Sequence, residues 1–354
     1  MTINNLEQIQ RIDAENMLSH IDALPDQLAS AWAHGQSLDL PAGAADVQQV
    51  VISGMGGSAI SADLLAALIA DTCPVPISVV RGYGLPAHVR GPETLVIALS
   101  HSGGTEETLS GAQAAAERGA RLLAITSGGE LAPLAEGAGG AAWTFEYRAQ
   151  PRASLGWLYG LLLAAFSRLG FAPDLAGDVQ EAVEVMQRRR DDLSASAPAG
   201  ENAAYRLAER LAGRIPVVWG AELLAPVARR WKTQLNENSK TVAYYEELPE
   251  LNHNTVAGLQ LPGGVGERIS VVELVSSRYN HPRTQIRQQV THDLLERAGI
   301  PATRVEAQGE SRLAQQMTAI QFGDYVSFYL AMIYEVDPTP IDNIAWLKER
   351  LAGA

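Results

Sequence analysis

The sequence contains very little cysteine and no long apolar segment. Its 354 residues include one cysteine, Cys73, which excludes an internal disulfide and favours a reducing compartment. No apolar run approaches the ~20 residues of a membrane span, and the polar N-terminus lacks the apolar core of a signal peptide. We therefore predict a cytoplasmic protein without a membrane partner.

Clustered positive charge is also scarce. The chain has 27 lysines and arginines against 40 aspartates and glutamates, a formal net charge of −13. Binding to a nucleic-acid backbone depends on clustered cations, so we expect no nucleic-acid partner. A small anionic substrate is still compatible with this charge, because local hydrogen-bond donors decide its affinity.

The sequence pattern predicts an α/β fold with two domains. Hydrophobic residues make up 47% of the chain, enough for a large core. Strand-like runs alternate with helical stretches, which is typical of doubly wound parallel sheets flanked by helices. The predicted strands cover 47–53, 75–80, 94–100, 121–126, 142–145, 215–220, 269–275 and 302–306. The predicted helices include 60–69, 108–118, 152–169, 222–235, 282–298, 311–334 and 341–351.

The predicted domain limits follow changes in composition. We expect an N-terminal helical segment over 1–45, a first α/β domain over 46–170, a helical linker over 171–200, and a second α/β domain with C-terminal helices over 201–354. Residues 194–200 are small and include a proline, which is typical of a boundary. No repeat is visible in the sequence, so a duplication is only a suspicion.

A glycine-rich segment, GMGGSA at 54–59, follows the first predicted strand and precedes a helix. Glycines allow a tight turn, and the free N–H groups at a helix start attract anions. The segment also fits the dinucleotide pattern GxGxxA. However, an NAD site prefers an acidic residue after the second strand, and Arg81 stands there, which suits only a 2′-phosphate. A turn without any ligand is the third alternative.

A second segment, SHSGGTEET at 100–108, again lies between a strand and a helix. It places the hydroxyls of Ser100, Ser102 and Thr105 among two glycines, with no lysine or arginine. Hydroxyls and free backbone N–H groups together form a cradle for a phosphate monoester. The alternative is a helix cap closed by Glu106 or Glu107, which accounts for one hydroxyl rather than three.

These two loops together resemble the SIS (sugar isomerase) domain. Further motifs are similar to the bifunctional phosphoglucose/phosphomannose isomerase family: PRAS at 151–154, NENSK at 236–240, ELNHN at 250–254 and DPTPI at 337–341, followed by Lys348. Ala59 and Ala62 depart from the pattern, since the family often has glycine there. The resemblance implies two SIS-type domains and an aldose–ketose isomerase. Its reaction would interconvert glucose 6-phosphate or mannose 6-phosphate with fructose 6-phosphate through a cis-enediol.

The resemblance also implies a role for individual residues. Glu237 would be the base that moves the proton, and Asn236 and Asn238, which flank it in the sequence, could orient its carboxylate. Arg152 would stabilise the enediolate. His253, supplied by the neighbouring subunit of a homodimer, would protonate the ring oxygen, and Lys348 would assist ring opening. Thr339 would position a water or a substrate hydroxyl. The residues expected to bind the substrate phosphate are Gly57, Ser58, Ser100, Ser102 and Thr105.

Each role has a simpler alternative. Glu237 could be a solvated helix end, His253 a surface or packed residue, Arg152 a surface ion pair, Lys348 an exposed lysine, and Thr339 a helix cap. For the whole chain the alternatives are a non-catalytic phosphosugar sensor and an NADP oxidoreductase. Sensors of this type usually carry a basic DNA-binding segment, whereas Arg11 is the only cation in residues 1–45.

We expect no metal ion and no organic cofactor. The seven histidines are dispersed, and the sequence has no HExxH, no CxxC, no P-loop and no GxSxG motif. Two questions stay open from the sequence. One is the preference between the glucose and mannose epimers, and the other is whether the physiological task is glycolytic or biosynthetic.

Overall fold

The computed structural model describes residues 6–352 and shows two parallel sheets flanked by helices. The first has the strand order β2-β1-β3-β4-β5 and the second β7-β6-β8-β9. The strands are β1 (Gln49–Gly54), β2 (Ile77–Val80), β3 (Thr94–Ser100), β4 (Arg121–Thr126), β5 (Ala141–Thr144), β6 (Ile215–Ala221), β7 (Tyr244–Leu248), β8 (Ile269–Val275) and β9 (Ala302–Glu306). The predicted fold class is therefore confirmed.

The helices connect these strands and extend beyond them. They are α1 (Leu6–Ile12), α2 (Met17–Asp22), α3 (Leu24–Gly35), α4 (Gly56–Leu68), α5 (Glu106–Glu117), α6 (Leu131–Gly137), α7 (Leu155–Arg168), α8 (Ala176–Leu193), α9 (Ala203–Leu211), α10 (Ala225–Glu237), α11 (Val265–Arg268), α12 (Pro282–Arg297), α13 (Arg312–Ile333) and α14 (Asp342–Ala352). Between residues 6 and 352, no helix has the length and apolar composition needed to span a bilayer.

Strand burial explains why the apolar runs predicted a parallel sheet. Every residue of β3 is buried, and its side chains alternate between two hydrophobic clusters. Leu95 and Ile97 join the large cluster that includes residues of α3, α4 and α7. Val96 and Ala98 join a smaller cluster with residues of α5 and α6. Helices therefore cover both faces of this sheet, as parallel sheets require.

The strand β7 is absent from the sequence-based prediction. Its sequence, Tyr-Tyr-Glu-Glu-Leu, lacks an apolar run, and only Leu248 is buried. Among the described strands, β7 pairs with β6 alone and forms the edge of the second sheet. Edge strands have one partner and tolerate charged side chains, which explains why a search for buried runs misses it.

Helix α13 connects the two halves of the core. From Leu313 to Met332 every residue is buried, so its apolar positions do not follow one face. Helices α8, α9 and α10 all pack against it. One hydrophobic cluster thus includes residues from both sheets. The limits of the two domains at 46–170 and 201–354 remain a prediction.

A glycine in α13 makes this packing possible. A Cβ added to Gly323 would lie 2.3 Å from Cε2 of the buried Trp231 ring. We expect Gly323→Ala to cost about 1–3 kcal/mol, because overpacking forces the ring to move. The measurement is the midpoint of thermal unfolding.

Gly177→Ala in α8 is the matched control for this prediction. A Cβ there meets nothing within 4 Å, so this change should leave the midpoint equal or slightly raised. Equal midpoints for the two variants would show that the contact between α13 and the Trp231 ring is not tight.

Candidate active site

The carboxyl ends of β1 and β3 lie side by side. The two strands are parallel neighbours, with Ser53 opposite Ala98 and Gly54 opposite Leu99. The strand order reverses here, because β2 lies on the other side of β1. Ligands of open α/β sheets bind in the crevice at such a switch point. Helices α4 and α5 both begin at this edge, so their N-terminal N–H groups lie there too.

The glycine loop, residues 54–57, allows the backbone to pass close to the neighbouring strand and turn. A Cβ at Gly54 would lie 2.8 Å from the carbonyl oxygen of Leu99, and Gly56 has a φ of +49°. At Gly57 a Cβ would lie 3.2 Å from the Pro151 carbonyl and 3.5 Å from the Arg152 Cα. Gly57 therefore brings the start of α4 directly against the turn that carries Arg152.

The loop at 100–105, called the hydroxyl loop below, is held in its conformation by hydrogen bonds of its own side chains. The Ser100 hydroxyl accepts a hydrogen bond from the Gly103 N–H at 3.1 Å and lies 3.0 Å from the Thr105 hydroxyl. Thr105 precedes α5, but its side chain does not cap the helix. The capping alternative is therefore wrong for this loop. Ser58 and Ser100 are buried, whereas Ser102 is exposed.

At the corresponding edge of the second sheet, a carboxylate of the protein occupies the donors at the start of a helix. Glu222 follows β6 with a φ of +49°. Its carboxylate accepts hydrogen bonds from the His281 N–H at 2.8 Å and from the Thr284 hydroxyl at 2.5 Å, at the start of α12. Within the described residues, no carboxylate binds the hydroxyl loop of the first sheet in this way. The free donors that suit a phosphate thus lie on the first sheet.

Arg152 is a buried cation with four partners. It is 3% exposed. Its Nε donates to the Asn238 Oδ1 at 2.7 Å, and its Nη2 donates to the carbonyls of Pro338 and Thr339 at 2.7 and 2.8 Å. Its Nη1 lies 3.6 Å from the Glu237 Oε2. The alternative of a surface ion pair is wrong, because the side chain is buried.

The local structure around Arg152 differs from the prediction of one helix over 152–169. Pro151–Ala153 form a separate 3₁₀ turn, and α7 begins only at Leu155. Arg152 therefore does not lie in the first turn of that helix. Its backbone carbonyl accepts a hydrogen bond from Arg230 at 2.8 Å, and Arg230 pairs with the buried Asp324 at 3.0 Å.

Burial lowers the pKa of Arg152 from its ordinary value, and the Glu237 carboxylate opposes this shift. An arginine keeps its charge across the physiological range. The site therefore holds a cation that stays charged and is largely shielded from water. In such surroundings it interacts more strongly with a developing negative charge than it would in water.

Glu237 is the last residue of α10, and its carboxylate is partly exposed while facing Arg152. The sequence suggested that the adjacent asparagines orient this carboxylate, and this is wrong. Asn236 donates to the Thr241 carbonyl, whereas Asn238 binds Arg152 and the Ser327 hydroxyl. Asn238 therefore orients the cation and not the base.

Thr339 lies on the other side of Arg152 and is 3% exposed. Its hydroxyl is buried and has no hydrogen-bond partner, as is also true of the Arg152 Nη1. Helix α14 begins at Asp342, so Thr339 does not cap it. Buried polar atoms without partners are costly and uncommon. The Thr339 hydroxyl and the Arg152 Nη1 therefore keep an unused hydrogen-bonding capacity.

His253 and Lys348 are placed differently. Both are exposed, and in the described part of the chain neither forms a hydrogen bond or an ion pair with Arg152, Glu237 or Thr339. His253 ends a 3₁₀ turn after β7, and Lys348 lies on α14, whose side chains from Asp342 to Leu351 are all exposed. The structure thus brings together Arg152, Glu237 and Thr339 but not these two residues.

Lys240 is the residue at this site to which sequence reasoning assigns no role. Its Nζ donates to the Glu237 carbonyl at 2.7 Å and to the Pro338 carbonyl at 3.0 Å. Over residues 6–352, no group of three or more His, Cys, Asp or Glu is arranged to hold a metal ion. The cluster is thus built from a carboxylate, cations, amides and hydroxyls.

Comparisons with known proteins match both halves of the chain. Family models match at two places: "SIS domain" over residues 45–145 and "Bacterial phospho-glucose isomerase C-terminal SIS domain" over residues 200–351. The fold is similar to that of the C-terminal domain of glucosamine-fructose-6-phosphate aminotransferase from Francisella tularensis. The TM-score is 0.69 at 15% identity, covering 92% of this chain and 98% of the other.

Two curated relatives carry the same name. The bifunctional phosphoglucose/phosphomannose isomerase of Caldicellulosiruptor bescii is 39% identical over 95% of this chain and 99% of its own length. That of Aquifex aeolicus is 34% identical over 85% of this chain and 90% of its own length. The resemblance found in the sequence is confirmed, and the chain belongs to the bifunctional phosphoglucose/phosphomannose isomerase family.

Proposed function

We propose that this chain is an aldose–ketose isomerase that interconverts glucose 6-phosphate or mannose 6-phosphate with fructose 6-phosphate through a cis-enediol. The observation that carries the proposal is the close approach of Gly57 to Arg152. This contact places the loops that would bind the phosphate next to the buried Arg152 and its partner, the partly exposed Glu237 carboxylate. Family membership supports the same reaction.

In this proposal the phosphate binds at the starts of α4 and α5. Gly57 and Ser58 lie at the same edge as the hydroxyls of Ser100, Ser102 and Thr105. The Ser58 N–H donates to the Met55 carbonyl at 3.0 Å, so Ser58 would bind the phosphate through its hydroxyl. No lysine or arginine belongs to this set, so neutral donors and the two helix dipoles supply the attraction. The remote phosphate group would then hold the sugar carbons in place for the chemistry.

The proton transfer would take place at the Glu237–Arg152 pair. The Glu237 carboxylate removes the proton from C2 of the open-chain aldose, and the electron pair forms the enediolate. The same carboxyl returns the proton to C1 while a proton passes from the C2 oxygen to the C1 oxygen, which yields the ketose with its carbonyl at C2 and a hydroxyl at C1. Arg152 stabilises the negative oxygen of the intermediate through its Nη1, and the Thr339 hydroxyl binds a substrate hydroxyl or a water.

Ring opening would use His253 from a second copy of the chain, together with Lys348. Two features support a homodimer in which the partner completes the site. His253 lies on an exposed turn and, among the described residues, forms no hydrogen bond with Glu237. The neighbouring Asn252 binds Thr291 of α12 at 2.9 Å. The outer face of α12 exposes Ile286 by 50% and Val290 by 61%. An exposed apolar face beside His253 is typical of a subunit interface.

The alternatives receive less support. Arg81, which an NADP site would use for the 2′-phosphate, instead binds Asp63 and the Ala59 carbonyl. A non-catalytic sensor has no counterpart among the named isomerase relatives. A single free cysteine is consistent with activity in the reducing cytoplasm.

The test of this function is a coupled assay of the purified, EDTA-treated protein. Glucose 6-phosphate and mannose 6-phosphate are supplied separately and formation of fructose 6-phosphate is measured. We expect turnover of at least one aldose phosphate, and no measurable turnover of unphosphorylated glucose or mannose. If neither phosphate is converted, the proposed function is wrong.

A further inference from the structure

The side chain of Lys240 folds back onto the end of helix α10. Its backbone has a φ of +55°, a left-handed conformation that is uncommon for lysine. Its Nζ donates to the Glu237 carbonyl at 2.7 Å and lies 3.4 Å from the Asn238 carbonyl. A cation at the last carbonyls of a helix is favoured by the helix dipole. We propose that Lys240 is a positioning residue whose ammonium holds the Glu237 carboxylate in place relative to Arg152 and Thr339.

The second contact of Lys240 connects α10 to the 338–339 segment. Its Nζ donates to the Pro338 carbonyl at 3.0 Å, and the Arg152 Nη2 donates to the same oxygen at 2.7 Å. One carbonyl is thus shared by two cations. Arg152 also binds Thr339 and Asn238. The Lys240 ammonium therefore adds a second link between the end of α10, where Glu237 lies, and the 338–339 segment.

The charged groups facing Lys240 come from three segments. Arg152 has the same sign, whereas Glu237, Asp337 and Asp342 have the opposite sign. Although part of the residue is exposed, its ammonium lies against carbonyls. Partial burial and the Arg152 charge therefore lower the pKa of Lys240 to about 8. The ammonium is present below this pH and is lost as the pH rises through it.

The composition of the chain singles out this lysine. The 27 basic residues include only three lysines, Lys232, Lys240 and Lys348. An arginine at position 240 would keep its charge at every pH that the fold survives. The small number of lysines also makes each one separately measurable.

The first test measures the pKa of Lys240 directly on the wild-type protein. Trace acetic anhydride is added between pH 7 and 11, and acetylation of each lysine is read by peptide mass spectrometry. The reagent reacts with the unprotonated amine, so Lys240 should be half-titrated near pH 8. Acetylation of Lys232 and Lys348 is recorded in the same samples. Half-titration of Lys240 near the ordinary lysine value of about 10.4 would overturn the proposed environment of its ammonium.

The second test compares pH profiles of kcat between pH 7 and 9.5. Lys240→Met should lower kcat about tenfold at pH 7 with KM within twofold, and its profile should be flat. Lys240→Arg should keep most of kcat at pH 7 and lose the decline that the wild type shows near pH 8. Lys232→Met, a change on helix α10, which ends at Glu237, should reproduce the wild-type profile.

The proposal rests on the proposed function, and the two fail in different ways. If Lys240→Met and Lys240→Arg both keep the wild-type kcat and the same alkaline decline, Lys240 does not position the base. Absence of turnover in the wild-type protein would instead refute the isomerase function. The acetylation experiment needs no activity, so it still tests the contacts of the ammonium in that case.

Discussion

The Glu237→Gln variant is expected to lose about 10²–10⁴-fold in kcat, the range that a positioned general base contributes. The amide keeps the shape of the side chain and can still accept a hydrogen bond from Arg152, whose Nη1 lies 3.6 Å from the carboxylate. It cannot accept the C2 proton. Binding of fructose 6-phosphate, measured by calorimetry, should stay within about threefold, because the phosphate cradle is untouched.

Solvent exchange separates the loss of the base from a general defect. In D₂O the wild-type protein should incorporate deuterium at C1 of fructose 6-phosphate, since the carboxyl shares its proton with water between the two transfers. Glu237→Gln should show no incorporation. The matched control is Glu247→Gln on the edge strand β7, where the side chain is exposed. Near-normal exchange in Glu237→Gln would assign the base to another residue.

Replacing Arg152 by lysine is expected to lower kcat about 10²–10³-fold, the usual effect of removing one donor that stabilises a developing oxyanion. The guanidinium binds Asn238, Pro338 and Thr339 through two different nitrogens while a third faces Glu237. A lysine ammonium is a single point and cannot make these contacts together. The measurement is kcat with each aldose phosphate.

Arg152→Lys should also be less stable, because it leaves buried carbonyls unpaired at about 1–3 kcal/mol each. Thermal unfolding with and without fructose 6-phosphate therefore accompanies the kinetics. Arg278→Lys is the control, since Arg278 pairs with Glu310 at the surface and both side chains are more than half exposed. A kcat within threefold of wild type in folded Arg152→Lys would exclude the proposed role in stabilising the enediolate.

Local patterns were sufficient to predict most of the fold. Runs such as β3 are buried along their whole length, and a fully apolar run has the same meaning wherever it occurs in the chain. The edge strand β7 escaped because it contains two adjacent glutamates and no apolar run, and only its last residue, Leu248, is buried. The start of α7 was misplaced for a similar reason, since a short turn at Pro151–Ala153 has no distinct apolar period.

The candidate site was predictable only as a set of residues. Motifs at 151–154, 236–240 and 337–341 identified Arg152, Glu237 and Thr339, and the fold places them in contact. Their partners depend on long-range packing that no local pattern encodes. Asn238 was predicted to orient the base and instead binds Arg152. Lys240 was left without a role, because its partners are backbone carbonyls, and one of them, that of Pro338, belongs to another segment.

The most direct test of the account is a crystal structure with 5-phosphoarabinonate, whose carboxylate mimics the enediolate. We predict the phosphate between the 100–105 loop and the start of α4, and the carboxylate against Arg152 and Glu237. A phosphate bound instead at the second sheet, beside Glu222 at the start of α12, would contradict the account. So would a ligand whose carboxylate lies far from Glu237.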